Sequence, residues 1–115
     1  MNMNDYQNLA FITDDNIKVD DNRFFYYIMG LTGEAGEVSD KFKKLYRDFD
    51  GKMTKEYATS IAKELGDVLW YIAVLSQKIG FNLDDVAHMN IEKLMKRKDS
   101  NTISGEGDDR WWYKY

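Results

Sequence analysis

Hydrophobic residues recur every three to four positions along most of the chain, and the strict alternation typical of strands is almost absent. This pattern predicts four helices, which run from Met3 to Ile12, from about Arg23 to Phe49, from the N-cap Thr54 to about Ile79, and from Leu83 to about Lys98. The chain contains no proline that would interrupt them. Helices joined by short turns favour an all-α fold of the four-helix-bundle type.

The apolar positions of each helix predict the face that it turns toward the core. They are Tyr6, Leu9 and Ala10, then Phe24, Tyr27, Ile28, Leu31, Ala35, Val38, Phe42, Leu45 and Tyr46, then Ile61, Leu65, Val68, Leu69, Ile72 and Leu75, and finally Val86, Ile91, Leu94 and Met95. A polar loop is predicted over Thr13–Asn22, a turn over Asp50–Lys52, a helix C-cap at Gly80, and a polar tail over Asp99–Tyr115 that ends in aromatic residues.

Composition narrows the class of protein. A length of 115 residues fits one domain over 1–115. The hydrophobic fraction, 43%, is higher than that of a disordered chain. The net charge of −4 disfavours a general nucleic-acid binder. The longest uncharged runs, Phe24–Gly33 and Val68–Gln77, are too short to cross a membrane, and the N-terminal residues do not resemble a signal peptide. With no cysteine, we expect a cytoplasmic protein.

Four acidic residues form two pairs with three-residue spacing on consecutive helices: Glu34 and Glu37 (E-x-x-E), and Glu64 and Asp67 (E-x-x-D). Residues three apart are neighbours on one helix surface, so each pair can direct two carboxylates to one place. Glu34 and Glu64 also interrupt the apolar stripes, which directs at least one acid of each pair toward the interior. Unpaired buried carboxylates are costly and repel each other, so a compensating cation is expected.

The cation has two possible sources. The acids could pair with lysines such as Lys41, Lys63 and Lys93, or together they could bind a hard divalent ion, Mg²⁺ or Mn²⁺, which prefers carboxylate oxygens. Two pairs that both interrupt the core stripe favour the metal. A ferritin-like di-iron site is disfavoured because it requires E-x-x-H pairs, and the single histidine, His88, follows neither acidic pair at that spacing.

Glycines accompany both acidic pairs, at Gly30, Gly33, Gly36 and Gly66. Because glycine within a helix costs about 0.5–1 kcal/mol relative to alanine, these positions indicate either close helix packing or clearance for a ligand.

An all-oxygen Mg²⁺ site suits phosphate chemistry, which also needs positive charge. Asn90, Lys93 and Arg97 could share one face of the fourth helix, although basic residues at a helix C-terminus are also favourable on their own. Tyr71 follows Asp67 by one turn and, like Phe24 and Tyr27, is either a core residue or a platform for a base.

The chain contains the segments LTGEAGEVSDKFKK and KELGDVLWYIA, followed by Asn90-x-x-Lys93-x-x-x-Arg97. In these segments it resembles the MazG-like all-α nucleoside triphosphate pyrophosphohydrolases. The resemblance covers about Tyr6 to Arg110. It implies hydrolysis of a nucleoside triphosphate between its α and β phosphates. It also implies a homodimer or homotetramer. From the net charge and the short uncharged runs, we expect no nucleic-acid or membrane partner.

By motif position the resemblance implies that Mg²⁺, or Mn²⁺ as a substitute, is held by Glu34, Glu37, Glu64 and Asp67. Glu37, with Glu34, would be catalytic, and Glu37 would orient or deprotonate the attacking water. The implied substrate-binding residues are Asn90, Lys93 and Arg97, with Lys41 able to assist; Tyr71 joins this group from its position one turn after Asp67.

Two alternatives remain open at this stage. The related dimeric dUTPases share the acidic signature, so the base of the substrate is not readable from helical residues. A helical interaction module that retained the acidic motif without catalysis is the alternative from another class of protein.

Overall fold

The computed structural model describes residues 1–15 and 23–100. Within them the chain forms four helices and no strand: α1 (Met3–Ile12), α2 (Arg23–Phe49), α3 (Lys55–Lys78) and α4 (Leu83–Asp99). The all-α prediction is confirmed, and the predicted helix ends agree to within one residue. The predicted loop from 16 to 22 and the tail from 101 to 115, including its aromatic end, lie outside the described residues.

Local capping explains why these helices begin and end where they do. At the start of α1, the side chain of Asn2 accepts from the backbone N–H of Asp5, whose carboxylate accepts from the N–H of Asn2 in return. Thr54 caps α3 by accepting from the N–H of Tyr57 at 3.1 Å. Gly80 follows α3 with φ +90°, and its N–H and that of the next residue donate to carbonyls in the last turn.

The four helices are arranged around α3, which packs against each of the other three. α2 borders α3 alone, and no Cα atom of α2 lies within 8 Å of one in α4. The buried core lies where α1, α2, α3 and the start of α4 meet. It consists of Ala10, Tyr27, Ala73, Val74 and Leu83, with Tyr6, Trp70, Tyr71, Ile72 and Leu75 packed against it.

A buried glutamine connects three of these helices. The side-chain amide of Gln7 in α1 donates to the backbone carbonyls of Ala73 (3.1 Å) and Phe81 (3.0 Å), and its oxygen accepts from the N–H of Leu83 (3.0 Å). The side chain of Asn4 accepts from the next N–H of α4 at 3.1 Å. The first two N–H groups of α4, which have no partner within their own helix, are therefore capped by side chains of α1.

Several residues of the predicted apolar faces are exposed in the single chain. They are Leu9, Phe24, Ile28, Phe42, Tyr46, Leu65, Leu69, Ile91 and Met95. For the residues of α2 the difference arises because this helix has one neighbouring helix, so that part of its apolar stripe faces outward. In α1 an interior position is taken by Gln7, which is not among the apolar positions predicted from the sequence. None of the four helices is long and apolar enough to cross a lipid bilayer.

Candidate metal and nucleotide site

Three of the four predicted acids meet between α2 and α3. Glu34 comes from α2, while Glu64 and Asp67 come from successive turns of α3, and one carboxylate oxygen of each lies within 4.8 Å of the others. Glu34 and Glu64 are half-buried and Asp67 is exposed. The three-residue spacing places the two α3 acids side by side, and the packing of α2 on α3 brings Glu34 opposite them.

The negative charge of this group is not compensated by a neighbouring side chain. Among the described residues none of the four predicted acids has an ion pair within 4 Å. Lys43 and Lys44 pair with Asp40, and Lys78 pairs with Asp14. Burial is the main reason that the pKa of Glu34 is raised, and the charges of Asp67, Glu64 and Glu37 raise it further. The interpretation that Lys41 and Lys63 neutralise the acids therefore finds no support.

Glu37 is placed differently from the other three. It is exposed and does not belong to the group whose oxygens lie within 4.8 Å, although its charge reaches Glu34 strongly enough to contribute to the raised pKa. It lies one turn after Glu34 on the same face of α2. From there its carboxylate has solvent around it.

The donor set fits a hard divalent cation. Carboxylate oxygens are the ligands that Mg²⁺ and Mn²⁺ prefer, and a cation would relieve the repulsion that the acids share. Because one oxygen of each lies within 4.8 Å of the others, Glu34, Glu64 and Asp67 are the residues that would hold such an ion. His88 is exposed on α4 and lies outside the group, in agreement with a site made of oxygen donors.

An open cleft of about 280 Å³ adjoins the acids. Glu34 and Asp67 line it together with two aromatic residues of α3, Trp70 and Tyr71. The two rings meet edge to face, with centroids 4.9 Å apart and planes at 82°. Burial raises the pKa of Tyr71, with smaller contributions from Tyr26, Glu34 and Asp67. The cleft thus combines an acidic end with an aromatic wall.

Sequence reasoning selected Tyr71 for this site but missed Trp70. The signal was available, because Trp70 follows Asp67 by three residues and so lies on the same face of α3. Spacing alone does not select it, because an aromatic residue beside the apolar stripe of a helix usually belongs to the core.

Only one of the helix glycines is explained by close packing. A Cβ atom added at Gly30 would lie 2.2 Å from Cε1 of Tyr71, so the ring lies directly on the backbone of α2. No atom lies within 4 Å of the corresponding position at Gly33, Gly36 or Gly66. Close packing therefore accounts for Gly30, whereas the other three leave open surface beside the acids.

Alanine substitutions should separate these two kinds of glycine. We expect Gly30→Ala to lower the free energy of unfolding by about 1–3 kcal/mol, because Tyr71 must move to admit the methyl group. Gly33→Ala should instead raise it by about 0.5–1 kcal/mol through helix propensity. Urea denaturation of both variants measures the difference. An equal loss of stability in both would contradict this account and would indicate that a second chain fills the space at Gly33.

The remaining predicted substrate-binding residues do not line the cleft. Asn90 is exposed on α4, Lys93 is half-buried, and Arg97 is buried at 3% exposure. Lys41 is half-buried on α2, one turn beyond Glu37. The described part of a single chain therefore brings Tyr71 to the acids but not these four residues.

Comparison with known proteins identifies the family of the chain. The family model described as MazG nucleotide pyrophosphohydrolase domain matches residues 26–101, a range that contains the acids, the cleft and α4. The chain is also similar to the Gene 37 protein of Mycobacterium phage L5, with 47% identity over 85 residues that cover 74% of this chain and 75% of that protein. No solved structure matches the chain. An all-α chain with an acidic group between two helices thus belongs to the MazG nucleotide pyrophosphohydrolase family, and the resemblance seen in its sequence is confirmed.

Proposed function

We propose that the protein hydrolyses ribo- or deoxyribonucleoside triphosphates between the α and β phosphates, which gives the monophosphate and pyrophosphate. Mg²⁺ is the proposed cofactor, with Mn²⁺ as a substitute. The observation that carries the proposal is the uncompensated group of Glu34, Glu64 and Asp67 beside an aromatic-lined cleft, in a chain of this family. Removal of unwanted nucleotides from the cytoplasmic pool is the corresponding biological role.

Each carboxylate has a proposed part in this reaction. Glu34, Glu64 and Asp67, joined by Glu37, hold the ion, which when bound neutralises charge on the phosphate oxygens. Glu37, solvent-exposed beside the group, orients the attacking water and accepts its proton as the water oxygen bonds to the α-phosphorus. The bond from that phosphorus to the bridging oxygen breaks, and pyrophosphate leaves. Glu34 is the second catalytic carboxylate, and it contributes the α2 side of the acidic group.

Substrate contacts are proposed for Tyr71 in the cleft and for four residues outside it: Lys41, Asn90, Lys93 and Arg97. A phosphate oxygen would accept charge-assisted hydrogen bonds from the basic side chains. Because Lys41, Asn90, Lys93 and Arg97 do not line the cleft, their contacts require a change of side-chain positions or a second copy of the chain.

A homodimer or homotetramer is part of the proposal. The single chain leaves large apolar side chains exposed along α2 and α4, including Phe25, Met29, Tyr46, Met89 and Ile91. Large apolar side chains left exposed on a single chain favour an interface between chains, and a stable interface buries about 1,200–2,000 Å² in total. Light scattering of the purified protein, performed beside the assay below, gives the number of copies.

The products of a nucleotide panel test the reaction. With Mg²⁺ present, we expect equal amounts of monophosphate and pyrophosphate from triphosphates of several bases, without orthophosphate. Chromatography of the products, with no added pyrophosphatase, measures both. Diphosphate and orthophosphate would contradict the proposed bond cleavage.

The same panel separates the alternatives. Turnover of dUTP alone would favour a dUTPase-like enzyme, whereas comparable turnover of several bases excludes strict dUTP specificity. If calorimetry detects no metal-dependent nucleotide binding and no triphosphate is cleaved, the protein is a helical interaction module.

A further inference from the structure

We propose that Trp70 is the residue on which the base of the substrate stacks, and that Thr13 holds its indole ring in place. The inference rests on the proposed function, since it identifies how the same cleft recognises a nucleotide. It concerns a residue that neither the acidic motif nor the aromatic residues predicted from the sequence include.

The first argument is position along α3. Asp67 and Trp70 both line the cleft, and they are three positions apart on α3, which is nearly one turn of about 5.4 Å. In a nucleotide, one sugar separates the α-phosphate from the base. When the phosphates lie at the acids, the base therefore lies about one turn away, beside the aromatic wall rather than over another carboxylate.

The second argument concerns which aromatic ring is available. Tyr71 lies on the backbone of α2 at Gly30 and packs against Tyr27, with ring centroids 6.4 Å apart, so much of its surface is already in contact. Trp70 touches Tyr71 edge to face, is half-buried, and keeps surface in the cleft. Stacking on an aromatic side chain suits every base, because each base has a π-face.

The third argument is that the indole is held in one orientation before any ligand arrives. Its Nε1–H donates to the hydroxyl of Thr13 at 2.8 Å, and that hydroxyl donates to the carbonyl of Ala10 at 2.7 Å. The next residue, Asp14, accepts from the hydroxyl of Tyr27 and lies 3.8 Å from Nζ of Lys78. The segment after α1 is thus attached to both α2 and α3. Thr13 is a positioning residue that acts through Trp70.

Base-dependent affinity is the quantity that tests this inference. Calorimetry with Mg²⁺ measures the affinity of the full chain for a nucleoside monophosphate and for ribose 5-phosphate, which lacks the base. The quantity compared between variants is the ratio of the first affinity to the second. We expect Trp70→Leu to lower that ratio by roughly 5- to 150-fold, the equivalent of about 1–3 kcal/mol of stacking. KM for the triphosphate should rise by a similar factor, with a much smaller change in kcat.

Two further variants distinguish stacking from a structural role. Trp70→Phe keeps an aromatic face, so its affinity ratio should fall less than that of Trp70→Leu. Thr13→Val should also lower the affinity ratio less than Trp70→Leu does, and its melting temperature should stay close to that of the parent. Phe81→Leu is the matched control, because that aromatic side chain is exposed outside the cleft, and its ratio should equal that of the parent.

Fluorescence provides a measurement that needs no change at Trp70. The chain has three tryptophans, so replacing Trp111 and Trp112 by Phe leaves Trp70 as the single tryptophan reporter. Monophosphate should then quench the emission and ribose 5-phosphate should not. If Trp70→Leu folds, an unchanged affinity ratio overturns the inference. If it does not fold, equal quenching by the two ligands overturns it. Neither result contradicts the proposed hydrolysis. A parent protein that neither cleaves nor binds nucleotides would refute the proposed function and this inference together.

Discussion

Replacing Glu34 by Gln is expected to lower pyrophosphate release by at least ~100-fold and to leave the metal-free protein as stable as the parent or more stable. The carboxylate of Glu34 meets those of Glu64 and Asp67 without an ion pair among the described residues. Gln keeps the shape of the side chain and removes one of the charges that repel each other. A neutral amide also binds a divalent ion more weakly. Compared with the parent, Glu34→Gln should therefore be as stable or more stable without metal, and less stable when Mg²⁺ is bound.

Thermal melting with a chelator and with excess Mg²⁺ measures both effects beside the activity assay. Mg²⁺ should stabilise the parent by mass action and stabilise Glu34→Gln much less. Glu37→Gln should also lose most activity, with a smaller change in the Mg²⁺-dependent melting shift, because Glu37 lies outside the group of three. Glu92→Gln, an exposed change on α4, is the control and should behave like the parent. A Glu34→Gln variant that melts far below the parent in chelator would assign Glu34 a structural role.

The same comparison has a defined pH dependence. Burial and the neighbouring acids raise the pKa of Glu34 in the folded protein, so the folded state binds a proton there more readily than the unfolded state. The folded parent is therefore disfavoured as pH rises from about 4 through the raised pKa. In chelator, the stability advantage of Glu34→Gln should be small in acid, grow over that interval and then become constant. An advantage that grows as pH falls would contradict this assignment.

The helix boundaries could be predicted from the sequence because local chemistry determines them. Thr54 accepts a hydrogen bond from its own helix, and Gly80 adopts the positive φ that few other residues tolerate. The distribution of burial could not be predicted in the same way. Ile28 and Tyr46 have helical spacing with core residues, yet they are exposed because only one helix packs on α2. Periodicity identifies an apolar face but not how many neighbours cover it.

The acidic site was predictable to the extent that it depends on spacing within one helix. Glu64 and Asp67 had to be neighbours on α3, whereas the meeting of Glu34 with them depends on how α2 is rotated against α3. Tyr71 packs on the backbone of α2 at Gly30, and no spacing rule contains this contact between the two helices. Arg97 illustrates the opposite case, since a cation that sequence places on a polar face is buried in the structure.

Gln7→Leu is expected to produce the largest loss of stability of any change outside the cleft, about 3 kcal/mol or more. The substitution keeps a similar volume but removes the hydrogen bonds from the amide to the carbonyls of Ala73 and Phe81 and the bond from the N–H of Leu83. Each bond contributes about 0.5–1.5 kcal/mol, and a buried N–H left without a partner costs about 1–3 kcal/mol. Because this N–H begins α4, the change also weakens the attachment of α4 to α1 and α3.

Gln7→Glu tests whether the amide's donors are responsible. A carboxylate can still accept from Leu83, but it places negative charge against the carbonyl oxygens of Ala73 and Phe81, so the loss at neutral pH should exceed that of Gln7→Leu. Acidic pH should recover part of it, because a protonated carboxyl donates one bond. Asn8 is adjacent and exposed, so Asn8→Leu and Asn8→Asp are matched controls that should stay within about 0.5 kcal/mol of the parent. Urea denaturation measures all four variants, and a Gln7→Leu protein as stable as Asn8→Leu would show that apolar packing alone holds α1 to α3 and α4.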